Sequence, residues 1–183
     1  TTGSVAVKTR VTEHQKTRHN LSVQVTEFVG RELEKTKLAS LLAEKSCRLL
    51  NIVAPGGMGK TRLAIEVART QLEHFDTTCF VSFAAVASAD LMVYTLADGL
   101  ELSLFGSKSP KEQVLDYLKN KKMLLVLDNL EHLLSGVDLI SDILTTAPEL
   151  KILATSRERL GLQSEHLFDL YGLTVADDGS SLH

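Results

Sequence analysis

The stretch NIVAPGGMGKTRLA, Asn51 to Ala64, decides how the rest of the chain is interpreted. It follows the spacing of a phosphate-binding loop, which is Gly, four residues and then Gly-Lys-Ser/Thr. Gly59, Lys60 and Thr61 supply the end of that pattern, while Ala54 stands where its first glycine belongs. The alternative is an ordinary glycine-rich turn in which the lysine is only a surface charge, so the surrounding sequence has to decide between the two.

The residue types of this loop suit the recognition of a triphosphate. Glycines allow backbone N–H groups to turn inward, and the N-terminus of the following helix favours negative charge. Lys60 is expected to reach the outer phosphates, and Thr61 to bring a hydroxyl group to magnesium. We therefore predict nucleotide binding by the loop and the first helical turn: Gly56, Gly57, Met58, Gly59, Lys60, Thr61 and Arg62.

Short apolar runs predict five strands along the chain. They are CRLLNIVAP (47–55), TCFVSF (78–83), MLLVLD (123–128), KILATS (151–156) and HLFDLYG (166–172). Amphipathic or apolar segments between them predict helices, so strand and helix alternate. This alternation indicates an α/β fold with a mainly parallel sheet covered on both faces, and ligands in such folds bind beyond the carboxyl ends of the strands.

Helices are expected in four further places besides the one that follows the loop. One begins near Arg31 and gathers Leu33, Leu38, Leu41 and Leu42 on one side. The others are ADLMVYTLADGL (89–100), SPKEQVLDYLKN (109–120) and EHLLSGVDLISDILTTA (131–147). The third of these four segments opens with a capping box, Ser109 to Glu112, which has Pro110 at the first helical position.

An acid follows the apolar strand MLLVLD. Asp128 at the carboxyl end of a buried strand is costly unless it is paired or lies near a metal. Beside Thr61 it is placed to hold magnesium, as the acid of the second nucleotide-binding motif does. The alternative is an acid that caps the following helix.

A basic residue follows the strand KILATS. Arg157 presents a cation beyond the edge of the sheet, where it is able to contact a γ-phosphate. Alone it would be interpreted as a surface residue, but the loop and Asp128 favour a sensor role, so we assign catalytic roles to Asp128 and Arg157.

Composition limits the remaining classes of protein. A chain of 183 residues that is 44% hydrophobic is expected to form one domain over residues 21–175, between a linker (1–20) and a disordered tail (176–183). The net charge of −3 gives no general attraction for nucleic acid. No apolar run reaches the roughly 18 residues of a membrane span, and Cys47 and Cys79 do not suggest a disulfide framework. A cytoplasmic protein without membrane contact is expected.

Four motifs in order resemble the signal-transduction ATPases of the STAND class, and within it the NB-ARC-like modules of large bacterial transcriptional regulators. They are FVGRE (28–32), GGMGKTRLA (56–64), LLVLDNLEHL (124–133) and LKILATSRERLG (150–161), and the resemblance covers roughly residues 21 to 173. It implies a three-layer P-loop NTPase fold with an additional N-terminal helix. The implied sheet order is last strand, loop strand, sensor strand, Asp128 strand and then TCFVSF.

The resemblance also implies ligands and roles. Val29, Gly30 and Arg31 would contact adenine, so that the cofactors would be ATP or ADP with Mg²⁺ at Thr61 and Asp128. Without the family, FVGRE would be a hydrophobic entry to the first helix. The helical and winged-helix subdomains of the family are expected to be absent from this sequence. Partners would be the sensor and output domains of a parent chain, with DNA bound only through absent domains, and nucleotide-dependent self-association is a further expectation.

The leading hypothesis is an ATP/ADP-binding switch with slow, Mg-dependent hydrolysis. Many related ATPases carry a second acid directly after the magnesium-binding Asp, whereas this chain has Asn129, whose amide cannot accept a proton. Glu131 is an alternative to this missing acid, but two residues further along it is expected to point elsewhere on the new helix. A P-loop kinase and an interaction module that no longer binds nucleotide remain alternatives. A GTPase is disfavoured, because NKKM (120–123) lacks the acid that reads guanine.

Overall fold

The computed structural model describes residues 18–22 and 28–171. Its strands are β1 (Arg18–His19), β2 (Leu49–Val53), β3 (Thr77–Ser82), β4 (Met123–Asp128), β5 (Lys151–Ser156) and β6 (Glu165–Asp169). Its helices are α1 (Glu32–Ala43), α2 (Lys60–Thr70), α3 (Met92–Gly99), α4 (Pro110–Leu118) and α5 (Val137–Thr146), with short 3₁₀ turns at Leu72–His74, Ala89–Leu91 and Leu134–Gly136.

The strands form one sheet in the order β1-β3-β4-β5-β2-β6, and every neighbouring pair is parallel. The five predicted strands keep their predicted order, which confirms the α/β class. The strand count differs, because β1 adds a sixth strand inside the segment expected to be a linker. Asn20 explains this addition, since its side-chain amide accepts from Phe80 N at 2.6 Å and donates to Phe80 O at 2.9 Å, as a paired strand would.

Helices cover both faces of the sheet, as the three-layer prediction requires. Successive β4 residues alternate between the two cores: Leu124 and Val126 pack on the side of α1 and α2, and Leu125 and Leu127 pack on the side of α3, α4 and α5. All six residues of β4 are buried. A central strand with two covered faces explains why MLLVLD is apolar throughout.

Two helix predictions need correction. The helix expected from residue 131 begins at Val137. The preceding residues form a turn, in which Leu133 N donates to Leu130 O at 2.9 Å and both leucines are buried. In α1, Leu38 and Leu42 are buried, but Leu33 is 75% exposed and lies outside the core.

The predicted capping box of α4 is present. Ser109 Oγ accepts from Glu112 N at 3.2 Å, and Glu112 Oε2 accepts from Ser109 N at 2.8 Å, with Pro110 in the first turn. The predicted tail, residues 176–183, and most of the predicted linker lie outside the described residues. Within the described part of the chain, no helix combines the length and the apolar character that crossing a membrane requires.

Candidate nucleotide-binding site

A cavity of about 380 Å³ opens at the carboxyl ends of β2, β4 and β5. This is the edge at which parallel α/β sheets bind ligands. The phosphate loop after β2 and the segments around the ends of β4 and β5 all contribute to it, although they lie far apart in the chain. The cavity is lined by Gly56, Gly57, Gly59, Lys60, Thr61, Asn129, Glu131, Thr155 and Arg157.

The loop between β2 and α2 needs its glycines for conformation. Gly57 and Gly59 adopt left-handed φ angles of 79° and 78°, which other residues rarely occupy. Lys60, the first residue of α2, is only 9% exposed, and its Nζ donates to Ala54 O at 2.8 Å and to Pro55 O at 3.1 Å. Lys60 is therefore not the surface charge that the alternative interpretation required.

Several charges surround the Lys60 ammonium group. Burial lowers the pKa of Lys60, and the charge of Arg157 lowers it further, whereas the acids Glu131 and Asp128 raise it. The two acids thus oppose the effect of burial on the pKa of Lys60, and an ammonium group is suited to a negatively charged ligand.

Asp128 gathers hydroxyl groups from other elements around its carboxylate. It is 5% exposed, and its Oδ1 accepts from Thr61 Oγ1 at 2.7 Å and from Thr155 Oγ1 at 2.7 Å. Ser82 Oγ donates to its Oδ2 at 3.4 Å. Neither the 3₁₀ turn at Leu134–Gly136 nor α5 has a side-chain N-cap, so Asp128 does not cap the following helix.

The donor set around Asp128 fits a hard divalent cation. Magnesium prefers oxygen ligands, and it is commonly held by one or two carboxylates together with waters and phosphates. Asp128 and Thr61 offer such oxygens beside the loop, 2.7 Å apart. No group of three or more His, Cys, Asp or Glu side chains suited to a metal ion occurs in the part of the chain that the structure describes.

Arg157 follows β5 and reaches back over the loop. A side chain at position 56 would bring its Cβ within 3.4 Å of Nη2 of Arg157, so the guanidinium group lies against Gly56. The Nε of Arg157 also pairs with Glu131 Oε1 at 3.0 Å. Although its side chain is 64% exposed, Arg157 has a defined position at the cavity.

The predicted adenine segment lies beside the cavity and does not line it. Arg31 Nη2 donates to Met58 O at 3.1 Å, which joins this segment to the loop. Gly30 and Arg31 both have left-handed backbone angles, and Val29 is 82% exposed. Arg62 also lies outside the cavity, where its guanidinium carbon is 5.5 Å from the centre of the Phe28 ring.

Three lining residues, Asn129, Glu131 and Thr155, were not predicted as members of the site, although Asn129 was singled out as the position where related ATPases carry a second acid. Glu131 was expected to point away, which is wrong, because the helix begins six residues later and Glu131 lies in a turn that faces the cavity. Thr155 was noted only as the end of a strand. A hydroxyl group at the carboxyl end of a buried strand, next to the strand that carries Asp128, was a signal that could have identified it.

A larger cavity, about 490 Å³, lies at the opposite end of β3 and β4. Its lining residues include Arg18, Thr77, Tyr117 and Lys121. It contains no residue of the phosphate loop or of the segments that follow β4 and β5. We place the candidate site at the smaller cavity, because the glycine loop and the buried Lys60 line it and the buried Asp128 bonds to Thr61, another of its lining residues.

A loop after β2, an acid at the end of β4 and a basic residue after β5 together define a P-loop nucleoside triphosphatase domain. The chain belongs to the NB-ARC domain family, which matches residues 31–161. This membership confirms the family resemblance seen in the sequence.

Curated relatives extend well beyond this chain. A putative HTH-type transcriptional regulator of Mycobacterium bovis is 36% identical over 146 residues, which is 79% of this chain and 16% of that protein. An uncharacterized protein of Mycobacterium tuberculosis is 33% identical over 169 residues, which is 90% of this chain and 42% of that protein. The chain therefore spans less than half the length of either relative.

Solved structures share the fold at low identity. A signal transduction ATPase with numerous domains from Pyrococcus horikoshii, which carries a tetratricopeptide repeat sensor, aligns with a TM-score of 0.57 and 16% identity, covering 84% of this chain and 25% of that chain. Cdc6p from Pyrobaculum aerophilum aligns with a TM-score of 0.57 and 14% identity, covering 79% of this chain and 46% of that chain.

Proposed function

We propose that this chain is an ATP/ADP-binding switch module that hydrolyses ATP slowly with magnesium. The observation that supports this function most is that Lys60, Thr61 and Arg157 line one cavity at the carboxyl edge of the sheet, with the Asp128 carboxylate 2.7 Å behind the Thr61 hydroxyl group. A cation, a hydroxyl group with a carboxylate, and a second cation are the groups that a triphosphate with its metal ion requires.

Each of these residues has a proposed task in binding. Lys60 exchanges the loop carbonyls, which its Nζ now contacts, for the outer phosphates. Thr61 and Asp128 hold magnesium, which when bound offsets the charge of the phosphates. Arg157 contacts the terminal phosphate from its position against Gly56 and thereby distinguishes ATP from ADP.

Adenine is proposed to bind beside the loop, at Val29, Gly30 and Arg31. The contact between Arg31 and Met58 O places this segment next to the loop residues, and exposed Val29 offers apolar surface to a base. Met58 and Arg62 accordingly belong to the wider nucleotide site rather than to the phosphate cavity.

The wider role is also a proposal. The name of the Mycobacterium bovis relative suggests that modules of this kind serve transcriptional regulators. We propose that the nucleotide state is passed to sensor and output domains of a longer cytoplasmic protein, with DNA bound by those domains and with self-association that depends on the nucleotide. Slow hydrolysis suits this role, because a nucleotide-bound state that persists is able to hold one conformation long enough for the output domains to respond to it.

Nucleotide binding is tested first by identifying the nucleotide that accompanies the purified chain and then by calorimetry with ATP, ADP and GTP. ATP and ADP should bind with magnesium, and GTP should bind at least about tenfold more weakly, a difference of about 1.4 kcal/mol. Equal affinity for GTP would contradict the adenine assignment. The absence of any bound nucleotide, by both measurements, would favour an interaction module.

A further inference from the structure

The backbone turns sharply after β4 and brings Glu131 to the phosphate cavity. Asn129 has a left-handed φ of 68°, and its N–H donates to Thr155 Oγ1 at 2.9 Å. The next amide, that of Leu130, donates to Thr155 O at 3.0 Å. These two bonds fix the turn on β5, so the position of Glu131 is set by neighbouring strands and not by a helix.

The two carboxylate oxygens of Glu131 have different surroundings. Oε1 pairs with Arg157 Nε at 3.0 Å. Oε2 is buried and has no hydrogen-bond partner among the residues that the structure describes, and the whole side chain is only 13% exposed. A buried carboxylate oxygen without a partner is costly, so it requires an explanation at the site itself.

Arg157 connects this carboxylate with the loop. Its Nε pairs with Glu131, while Nη2, at the other end of the guanidinium group, is the atom nearest to the position of a Cβ at Gly56. One planar group therefore reaches both the acid and the place where phosphate is proposed to bind. A fork of N–H donors suits this double contact, because a lysine ammonium group offers only a single point charge.

We propose that Glu131 is the general base of ATP hydrolysis, with Arg157 as the residue that positions it. This inference rests on the proposed function. Asn129, at the position where related enzymes carry an acid, is unable to accept a proton, whereas Glu131 brings a carboxylate to the same cavity.

The proposed step balances with water as the only co-reactant. The water oxygen attacks the γ-phosphorus, the bond from this phosphorus to the bridging oxygen breaks, and the electron pair of that bond leaves on ADP. Glu131 Oε2 takes the proton that the water loses and later releases it to solvent. Arg157 holds Oε1 through Nε, and Oε2 is assigned the proton because no hydrogen bond engages it among the described residues.

The test compares Glu131→Gln with Glu158→Gln in the whole 183-residue chain. Glu158 is an exposed acid next to Arg157, and it does not line the cavity. Glu131→Gln should lower single-turnover hydrolysis about a hundredfold or more, the usual contribution of a general base. It should bind Mg·ATP at least as tightly as the unmodified chain, because it removes a negative charge beside the phosphates. Glu158→Gln should change neither quantity.

A second variant separates a chemical role from a structural one. Glu131→Ala should hydrolyse ATP as slowly as Glu131→Gln, and added formate, a small carboxylate, should restore part of the rate. Formate should have no effect on Glu158→Ala. A residue that only supports the fold would not respond to formate, and this variant carries the test even if Glu131→Gln does not fold.

The outcomes distinguish this inference from the proposed function. Failure of the unmodified chain to bind ATP would overturn both. Normal binding without detectable turnover over a day would overturn the role of Glu131 and leave the binding function intact. Three further results would also overturn the role of Glu131. They are turnover at the unmodified rate in Glu131→Gln, the absence of rescue by formate, and a loss of ATP affinity of more than about tenfold in folded Glu131→Gln.

Discussion

At the amino-terminal edge of the sheet, two cations, Arg48 and Lys151, are tied to the ends of helices, whereas at the carboxyl edge Lys60 and Arg157 lie at the phosphate cavity. Within the described part of the chain, Arg48, just before β2, and Lys151, the first residue of β5, donate to backbone carbonyl groups. The acceptors are the carbonyl oxygens of Leu144, Ala147 and Leu150 for Arg48, and those of Leu42 and Glu44 for Lys151. Leu144 and Ala147 lie at the end of α5, and Leu42 and Glu44 at the end of α1, where a helix leaves acceptors unpaired and favours positive charge.

The cations of the carboxyl edge have another kind of surroundings. Lys60 contacts two carbonyls of its own loop, and Arg157 pairs with an acid that keeps one buried oxygen without a partner among the described residues. Cations whose N–H groups bond to carbonyls at helix ends stabilise the folded chain. Cations beside an unpaired carboxylate oxygen and a glycine loop remain available to a ligand.

The largest effect is expected at the amino-terminal edge and concerns stability. Arg48→Met should lower the free energy of unfolding by about 3 kcal/mol, because carbonyls at the end of α5 lose charged hydrogen-bond donors. Urea unfolding measures this change, and ATP affinity of the folded variant should stay the same. Arg159→Met, at an exposed arginine, serves as the control. If both variants lost the same small amount of stability, the contrast between the two edges would fail.

A reversed pattern is expected for Lys60. Lys60→Ala should weaken ATP binding about one to two decades, because a charge-assisted contact contributes roughly 1.5–3 kcal/mol. Its free energy of unfolding should change by less than about 1 kcal/mol, since burying the ammonium group already costs energy. Calorimetry and urea unfolding measure the two quantities, with exposed Lys37→Ala as the matched control. Unchanged ATP affinity would refute the phosphate-loop assignment.

The smallest effect is expected at Asn129 and sharpens the account of the carboxyl edge. Asn129→Asp adds an acid where related enzymes have one, but Glu131 is already proposed as the proton acceptor. Single-turnover rates should therefore stay within about threefold of the unmodified chain, which is less than 1 kcal/mol in the barrier. A rise of tenfold or more would show that the missing acid had limited the reaction, and it would contradict the role of Glu131.

Much of the fold was predictable from local sequence. The order of the five longer strands, the capping box at Ser109 and the start of α1 all followed from short-range patterns and from the family resemblance. Strand β1 was not predictable, because two polar residues become a strand only when Asn20 bonds to Phe80, 60 residues away in the chain. Leu33 shows the converse error, since an apolar residue near a helical stripe is not thereby buried.

The sequence by itself determined the phosphate loop, the acid after β4 and the cation after β5, because glycine spacing and charge at strand ends are local properties. Only the tertiary structure decided which side chains meet. The turn that brings Glu131 to Arg157 is held by Thr155, on a neighbouring strand, and the partners of Arg48 lie about 100 residues along the chain. Hydrogen bonds between distant segments fix these positions, and no periodicity within one segment records them.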